Sequence, residues 1–311
     1  MRYKPQIARA RIIAHGPKAS NDVQLRAAVE HAREQGFELD VRTTWEEGDE
    51  HALVAEASGL GISQLIAAGG DGTLHHVSAG IMALPDGTPK PSLGVLRMGT
   101  ANDFAKSAGI VLDIKDELMA ALTSSAVMVD VPLLNGRPWI NMATGGFGAQ
   151  VTTETPDNLK SALGKAAYVL TGLFKAFNLE TQHVRITGPD MDWKGEVYAL
   201  VVGNGRQAGG GIELCPEAYI NDGLLDIVVL PSDGTTTWSE LLESYVASGW
   251  AGLSAHTLSR RLPHVTLSTD AALAFNLDGE PIEASTFEFT VQPQALAMHL
   301  PKDCPLLTQQ T

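Results

Sequence analysis

Cysteine is scarce in this sequence. Its two thiols, Cys215 and Cys304, belong to no CxxC pair, which argues against a zinc site or a disulfide framework. No run approaches the roughly 18 consecutive apolar residues of a membrane-spanning helix. The first residues, MRYKPQIARARIIAHG, carry scattered charges and no apolar stretch of the signal-peptide kind. Clusters of lysine and arginine are missing too: 22 basic residues against 36 acidic ones leave a formal net charge of −14. Nucleic acid is therefore not an expected partner, and a strong polybasic membrane anchor is not expected, although weak interfacial contact stays open. These absences leave the expectation of a soluble cytoplasmic protein. Its 311 residues are 44% hydrophobic, enough for two domains that each bury a core.

The first 130 residues alternate between strand and helix periods. Ala8–Ala14 reads as a strand. Residues 21–35 place Leu25, Ala28, Val29 and Ala32 on one helical face, with Asn21 or Asp22 as cap and Gly36 as stop. Residues 37–42 alternate as a half-buried strand, 49–57 as a helix, 64–68 as a short apolar strand and 73–84 as a third helix. A turn-rich link, a strand over 93–96 and a helix over 116–122 follow. Alternating elements predict a doubly wound α/β domain built on a mostly parallel sheet. From about Val129 the segments become short, β-rich and punctuated by Gly, Pro, Asn and Asp, which predicts an antiparallel β-sandwich. Helical stretches near 159–178 and 238–253 interrupt it. The expected domains are 1–130, with 295–311 able to rejoin the first, and 131–294.

Ligands of doubly wound sheets bind beyond the carboxyl ends of the strands, and Gly69, Gly70, Asp71, Gly72 and Thr73 follow such an end. Glycines allow backbone N–H groups to approach a phosphate, and the next helix offers its positive end. Asp71 can hold a metal beside the phosphates or simply cap its own helix. No GK[ST] follows, so this is not a Walker A loop. GVLRMGTANDFAKS, over 94–107, repeats the design, with Asn102 and Asp103 opening a helix. Arg97 in that stretch either adds charge near phosphates or points to solvent.

GGDGT, then GTANDFA, then NLDGE near residue 280 resemble the signature set of the diacylglycerol kinase catalytic domain superfamily. ATGGFG, GNGRQAGGG, INDGLLD and DCPLL make the chain similar throughout to its YegS-type bacterial lipid kinases. The resemblance implies a NAD kinase/diacylglycerol kinase-like N-terminal domain that binds ATP, a C-terminal β-sandwich on the lipid side, and a cleft between them. It implies transfer of the γ-phosphate of ATP to a hydroxyl of a membrane lipid, an alcohol acceptor, resembling diacylglycerol or phosphatidylglycerol. By position, Thr44, Gly69, Gly70, Asp71, Gly72, Thr73, Leu74, His75, His76 and Thr100 match nucleotide contacts, and Asp71 and Glu280 match catalytic positions, Glu280 as the base. Asp222 matches a metal ligand, joined by the carbonyls of Tyr219 and Leu224, with Mg²⁺ or Ca²⁺ as the ion. His75 and His76 depart from the Asn and Glu usual there. The resemblance also implies transient contact with a membrane surface, placing the protein in the cytoplasm or peripherally at the inner membrane. The oligomeric state is open, a homodimer included.

Plainer readings stand beside these. Asp278–Gly279 suits an ordinary hairpin turn and Asn221-Asp222-Gly223 an ordinary loop turn. The glycine-rich run 203–216 is either a cleft lining, with Arg206 on phosphate, or a solvated hairpin loop. Trp139, Trp193, Trp238 and Trp250 suit core or rim packing. The apolar stretch from Tyr168 to Phe177, with Lys165 and Lys175 about it, suits core packing better than membrane contact. A kinase for a soluble substrate such as NAD, or a non-catalytic lipid- or nucleotide-binding protein, are the competing functions.

Overall fold

The computed structural model describes residues 9–16, 19, 21–145, 182–236 and 238–308, without the side chains at 238, 239, 242 and 246. The expected helix near 159–178, with Lys165 and Lys175, lies outside them. The chain divides into two compact units, residues 1–131 with 293–307, and residues 132–292 with 308–311.

Unit 1 is a parallel sheet wrapped by helices. Its strands are β1 (Arg9–His15), β2 (Glu38–Thr44), β3 (Gln64–Gly69) and β4 (Ser92–Arg97), in the spatial order β2-β1-β3-β4. The end of β15 (Glu280–His299) adds a fifth parallel member through Met298 opposite Leu93. The intervening helices are α1 (Val23–Glu34), α2 (Asp49–Gly59), α3 (Asp71–Met82), α4 (Asp103–Ser107) and α5 (Ile114–Thr123). β3 is buried at every position, as a central parallel strand must be when both faces are covered. One face buries Leu25, Ala28 and Val29 of α1 and Leu118, Ala121 and Leu122 of α5 against Ile12, Ala14, Ile66 and Leu96. On the other face Arg11, wholly buried in β1, donates to Asp40, to Glu56 and to the Leu53 carbonyl of α2. Pairing of four donors with three acceptors makes the burial of that charge tolerable.

Unit 2 is antiparallel, and opens with the end of β5 (Ala126–Leu134) paired to β6 (Arg137–Pro138). β12 (Leu225–Pro231) lies between β13 (Leu258–Leu262) and β9 (Met191–Gly203). β9 also pairs with β7 (Met142–Gly145) and β8 (Gln182–Gly188), and β14 (His264–Leu277) pairs with β7, β8 and β15. Alternation assigns the side chains to two cores. Leu200, Val202, Leu225, Ile227 and Val229 join Trp139, Phe275, Phe287 and Phe289. Ala199, Val201, Val228 and Leu230 face Leu241 of α6 (Trp238–Ser248) and Leu253 of α7 (Trp250–Ser254). Trp139 is a core residue, and Trp193 and Trp250 pack at core margins. Among the described residues, no helix is long and apolar enough to cross a membrane.

Candidate active site

The strand order of unit 1 fixes where a ligand can enter. The chain passes from β1 to β2 on one side, then returns past β1 to β3 on the other, so the order reverses between β1 and β3. Such a reversal opens a crevice at the carboxyl ends of the strands. The register aligns His15 with Thr44, and Gly69 with Arg97, at that same edge. The GGDGT loop leaves β3 directly into α3, whose first turn is Asp71, Gly72 and Thr73. The helix therefore begins two residues earlier than its hydrophobic period suggested.

Its N-cap, Gly70, offers no side chain. Two other helices of the unit are closed by aspartates, whereas α2, like α3, begins at a glycine, Gly48, with no side-chain cap. Asp22 accepts from Gln24 and Leu25 on α1, and Asp113 accepts from Lys115 and Asp116 on α5. The first N–H groups of α3 are thus the orphan donors with which a helix begins, set at the crevice with the positive end of a twelve-residue helix.

Asp71 does not cap its own helix. Its two oxygens accept the backbone N–H groups of Asp103 and Phe104, each at 3.0 Å, so it caps α4 across 32 residues of sequence. Other contacts weld the same two loops. A Cβ on Gly99 would collide with the Cα of Gly70, and one on Gly70 would lie 3.2 Å from the Cα of Gly99. Asn102, at φ 53°, accepts from the N–H of Gly99 and donates to its carbonyl, and Met98 N–H reaches the Gly69 carbonyl at 2.8 Å. A Cβ on Gly69 would strike Thr73. At Gly69, Gly70 and Gly99 a Cβ would meet the protein's own atoms, so the fold itself requires small residues there. Gly72 differs: it is exposed, and a Cβ there meets nothing within 4 Å among the described residues.

Thr44 is buried and its hydroxyl accepts from Gly16 N–H at 3.3 Å, tying the ends of β1 and β2. Thr100 is exposed. Leu74 and His75 are buried, and the ring of His75 meets His76 edge-on at 5.1 Å. Nearby, loss of solvent, then repulsion from His76 and His75, holds the His51 imidazole below its ordinary range against the pull of Glu50. Arg97 does not stand free in solvent. It pairs with buried Glu117 at 2.5 Å and donates to the Leu112 carbonyl.

In unit 2, Asp278 and Gly279 form a two-residue hairpin turn, both at positive φ, between Leu277 and Glu280. The turn does more than reverse the chain. The Asp278 carboxylate accepts the N–H groups of Ile140, Asn141 and Met142. Asn276 receives Gly279 N–H at 2.7 Å. Glu280 is exposed, as are Asn276 and Gly279. The glycine-rich run carries a small hairpin, β10 (Gln207–Ala208) with β11 (Ile212–Glu213), and Arg206 donates to Ala218 O while lying over the Tyr219 ring. Asp222 accepts from Leu224 N–H and pairs with Arg261. Burial, opposed by Arg261 and reinforced by Asp222 and Glu217, pushes Asp226 up to about 6. Among the described residues no group of three or more His, Cys, Asp or Glu side chains is arranged to hold a metal.

Comparison with known proteins agrees with this architecture. A Pseudomonas syringae pv. syringae protein named "Probable lipid kinase YegS-like" is 46% identical over 301 residues, 96% of this chain and 95% of its own. The chain belongs to the YegS-like lipid kinase family. A Pectobacterium atrosepticum relative of the same name is 43% identical over 298 residues, 95% of this chain and 97% of its own. The diacylglycerol kinase catalytic domain matches residues 10–133, and the YegS C-terminal NAD kinase beta sandwich-like domain matches 141–300. The crystal structure titled a diacylglycerol kinase from Bacillus anthracis Sterne superposes with a TM-score of 0.73 at 21% identity, covering 97% of this chain and all of that one. At that identity it speaks for the fold alone. The protein is therefore a kinase of the lipid kinase class, a class that uses ATP and a divalent metal.

Proposed function

We propose that this chain moves the γ-phosphate of ATP to a hydroxyl of a membrane lipid resembling diacylglycerol or phosphatidylglycerol. The observation that carries the reading is the start of α3. This helix begins at a strand-order reversal with a glycine cap, followed by an exposed Gly72 where a Cβ meets nothing within 4 Å among the described residues. Backbone amides there suit the oxygens of a polyphosphate. Asp71 acts on this site by holding the second loop, with Thr100, in register with the first.

ATP, when bound, supplies the γ-phosphoryl group, and the Mg²⁺ it carries neutralises developing charge. The chain's own residues position that group and accept a proton. Glu280 is the carboxylate assigned to take the proton of the attacking lipid hydroxyl. The rigid Asp278–Gly279 turn, braced by three amides, fixes the backbone from which Glu280 projects. The enzyme would work at the cytoplasmic face of the inner membrane, where its substrate lies.

The test is purified protein with Mg²⁺ and γ-labelled ATP against a total bacterial lipid extract, with NAD assayed in parallel and the product identified by mass spectrometry. Labelled lipid is expected. Labelled NAD without labelled lipid, or no transfer at all, overturns the reading. Glu280→Gln should lose transfer by about 10²-fold or more with an unchanged melting temperature, since the residue is exposed. Full activity in that variant removes Glu280 as the base.

A further inference from the structure

The resemblance implies a divalent ion on Tyr219, Asp222 and Leu224. The residues around Asp222 fit a different cation. We propose that the guanidinium of Arg261 is a built-in replacement for that metal, so that unit 2 folds and works without an ion of its own.

The placement follows from register. β12 and β13 are antiparallel, and Asp226 stands directly opposite Arg261, one step from the pair Leu225–Leu262. Directly opposed residues of an antiparallel pair present their side chains to the same face. Asp222 belongs to the turn just before β12, where Gly223 takes a φ of 73°. That turn brings a second carboxylate to the same guanidinium. Arg261 Nη2 donates to Asp222 Oδ2, and its Nε lies 3.5 Å from Asp226 Oδ2. The Tyr219 ring supports the cation from another side, 5.5 Å from the guanidinium carbon. Such a planar, weakly hydrated cation suits a half-buried site between carboxylates and an aromatic face.

Two observations weigh against a metal sharing this site. Asp222 Oδ1 already receives Leu224 N–H at 3.0 Å and Oδ2 receives the arginine. A hard cation requires oxygen ligands, and a carboxylate oxygen already accepting a guanidinium donor is a poorer ligand for a second positive charge. Asp226 Oδ2 is buried and has no hydrogen-bond donor among the described residues, so Arg261 is the charge that compensates it. Displacing the guanidinium for a metal would strand Arg261 beside a like charge. Removing Arg261 has the opposite effect. It leaves two carboxylates with no cation between them, beside a turn whose backbone carbonyls are further oxygen donors.

The experiment uses the full chain without nucleotide, titrated with CaCl₂ and separately with MgCl₂ and followed by thermal melting and calorimetry. The wild type is expected to show no saturable heat and no shift in Tm. Arg261→Gln is expected to melt lower than the wild type in chelator. It should gain a saturable Ca²⁺ site and recover about 5–10 °C at a hundred times its Kd. Asp222→Asn in that background should abolish the gain. Arg261→Lys keeps the charge and is expected to fold and bind no Ca²⁺, which preserves the test if the glutamine variant fails to fold. Saturable Ca²⁺ or Mg²⁺ binding by the wild type that Asp222→Asn removes overturns the proposal, as does an Arg261→Gln protein that folds without binding either ion.

Discussion

Asp71 is the residue on which a contact role and an architectural role part most sharply. If it acted only beside phosphate or metal, its replacement would leave the fold untouched. The structure gives it two charge-assisted bonds to the first amides of α4, both at 3.0 Å. Losing an N-cap costs about 0.5–2 kcal/mol, and a bond to a charged group contributes about 1.5–3 kcal/mol. Asp71 is half-buried, so solvent takes up part of the loss and about 2 kcal/mol is a fair expectation for Asp71→Ala. For a domain the size of unit 1 unfolding on its own that is a fall in Tm of about 4–8 °C.

Asp71→Asn keeps one acceptor oxygen and should lose about half as much. The amides of Asp103 and Phe104 should exchange hydrogen faster in both variants, while those of α1, capped by Asp22, should not change. Transfer activity should fall in both, because the second loop is no longer held against the first. The reasoning is refuted if Asp71→Ala melts within about 1 °C of the wild type with unaltered exchange at 103 and 104. Asp71 would then owe its place to the ligand alone.

Two further expectations concern single residues. Gly72→Ala adds a methyl where the protein has open space and improves helix propensity by up to about 1 kcal/mol, so it should melt at or above the wild type while binding ATP more weakly; Gly99→Ala meets Gly70 backbone and should melt well below it. Calorimetric ATP titrations beside the melts separate the two, and a Gly72→Ala protein with undiminished ATP affinity would remove the phosphates from the start of α3. Arg11→Ala should cost about 3 kcal/mol in denaturant unfolding, the low end for breaking a buried pair because Asp40 and Glu56 are partly exposed. A loss under about 1 kcal/mol would mean that water already serves those carboxylates.

The helices and strands of unit 1 were legible because their signals are local. Leu25, Ala28, Val29 and Ala32 share a face, and caps and stops lie within a turn of their helices. The position of GGDGT after a buried strand was legible for the same reason. What escaped was long-range pairing of charges. The strand reading of 8–14 says nothing of what Arg11 meets, and its partners lie 29 and 45 residues away. Arg97 finds Glu117 at a distance of 20 residues, and Asp71 finds α4 at 32. Periodicity reports which face of an element is buried, not which distant carboxylate satisfies a charge placed there. Only the structure explains Asp71: α4 opens behind an asparagine at positive φ that is busy with Gly99, so its amides need an acceptor from elsewhere.

The same division runs through both motifs. In GGDGT, Gly69, Gly70, Asp71 and Thr73 answer to neighbouring protein atoms, while a Cβ at Gly72 meets nothing within 4 Å among the described residues and the first turn has no side-chain cap. In NLDGE, Asn276 closes the hairpin and Asp278 braces 140–142, while Glu280 is exposed. A motif can therefore be recognisable mainly through residues that build the scaffold. The chemistry belongs to the few positions that the scaffold presents to a ligand, which is why Glu280→Gln should spare stability and Asp278→Asn, which weakens a brace on three amides, should not.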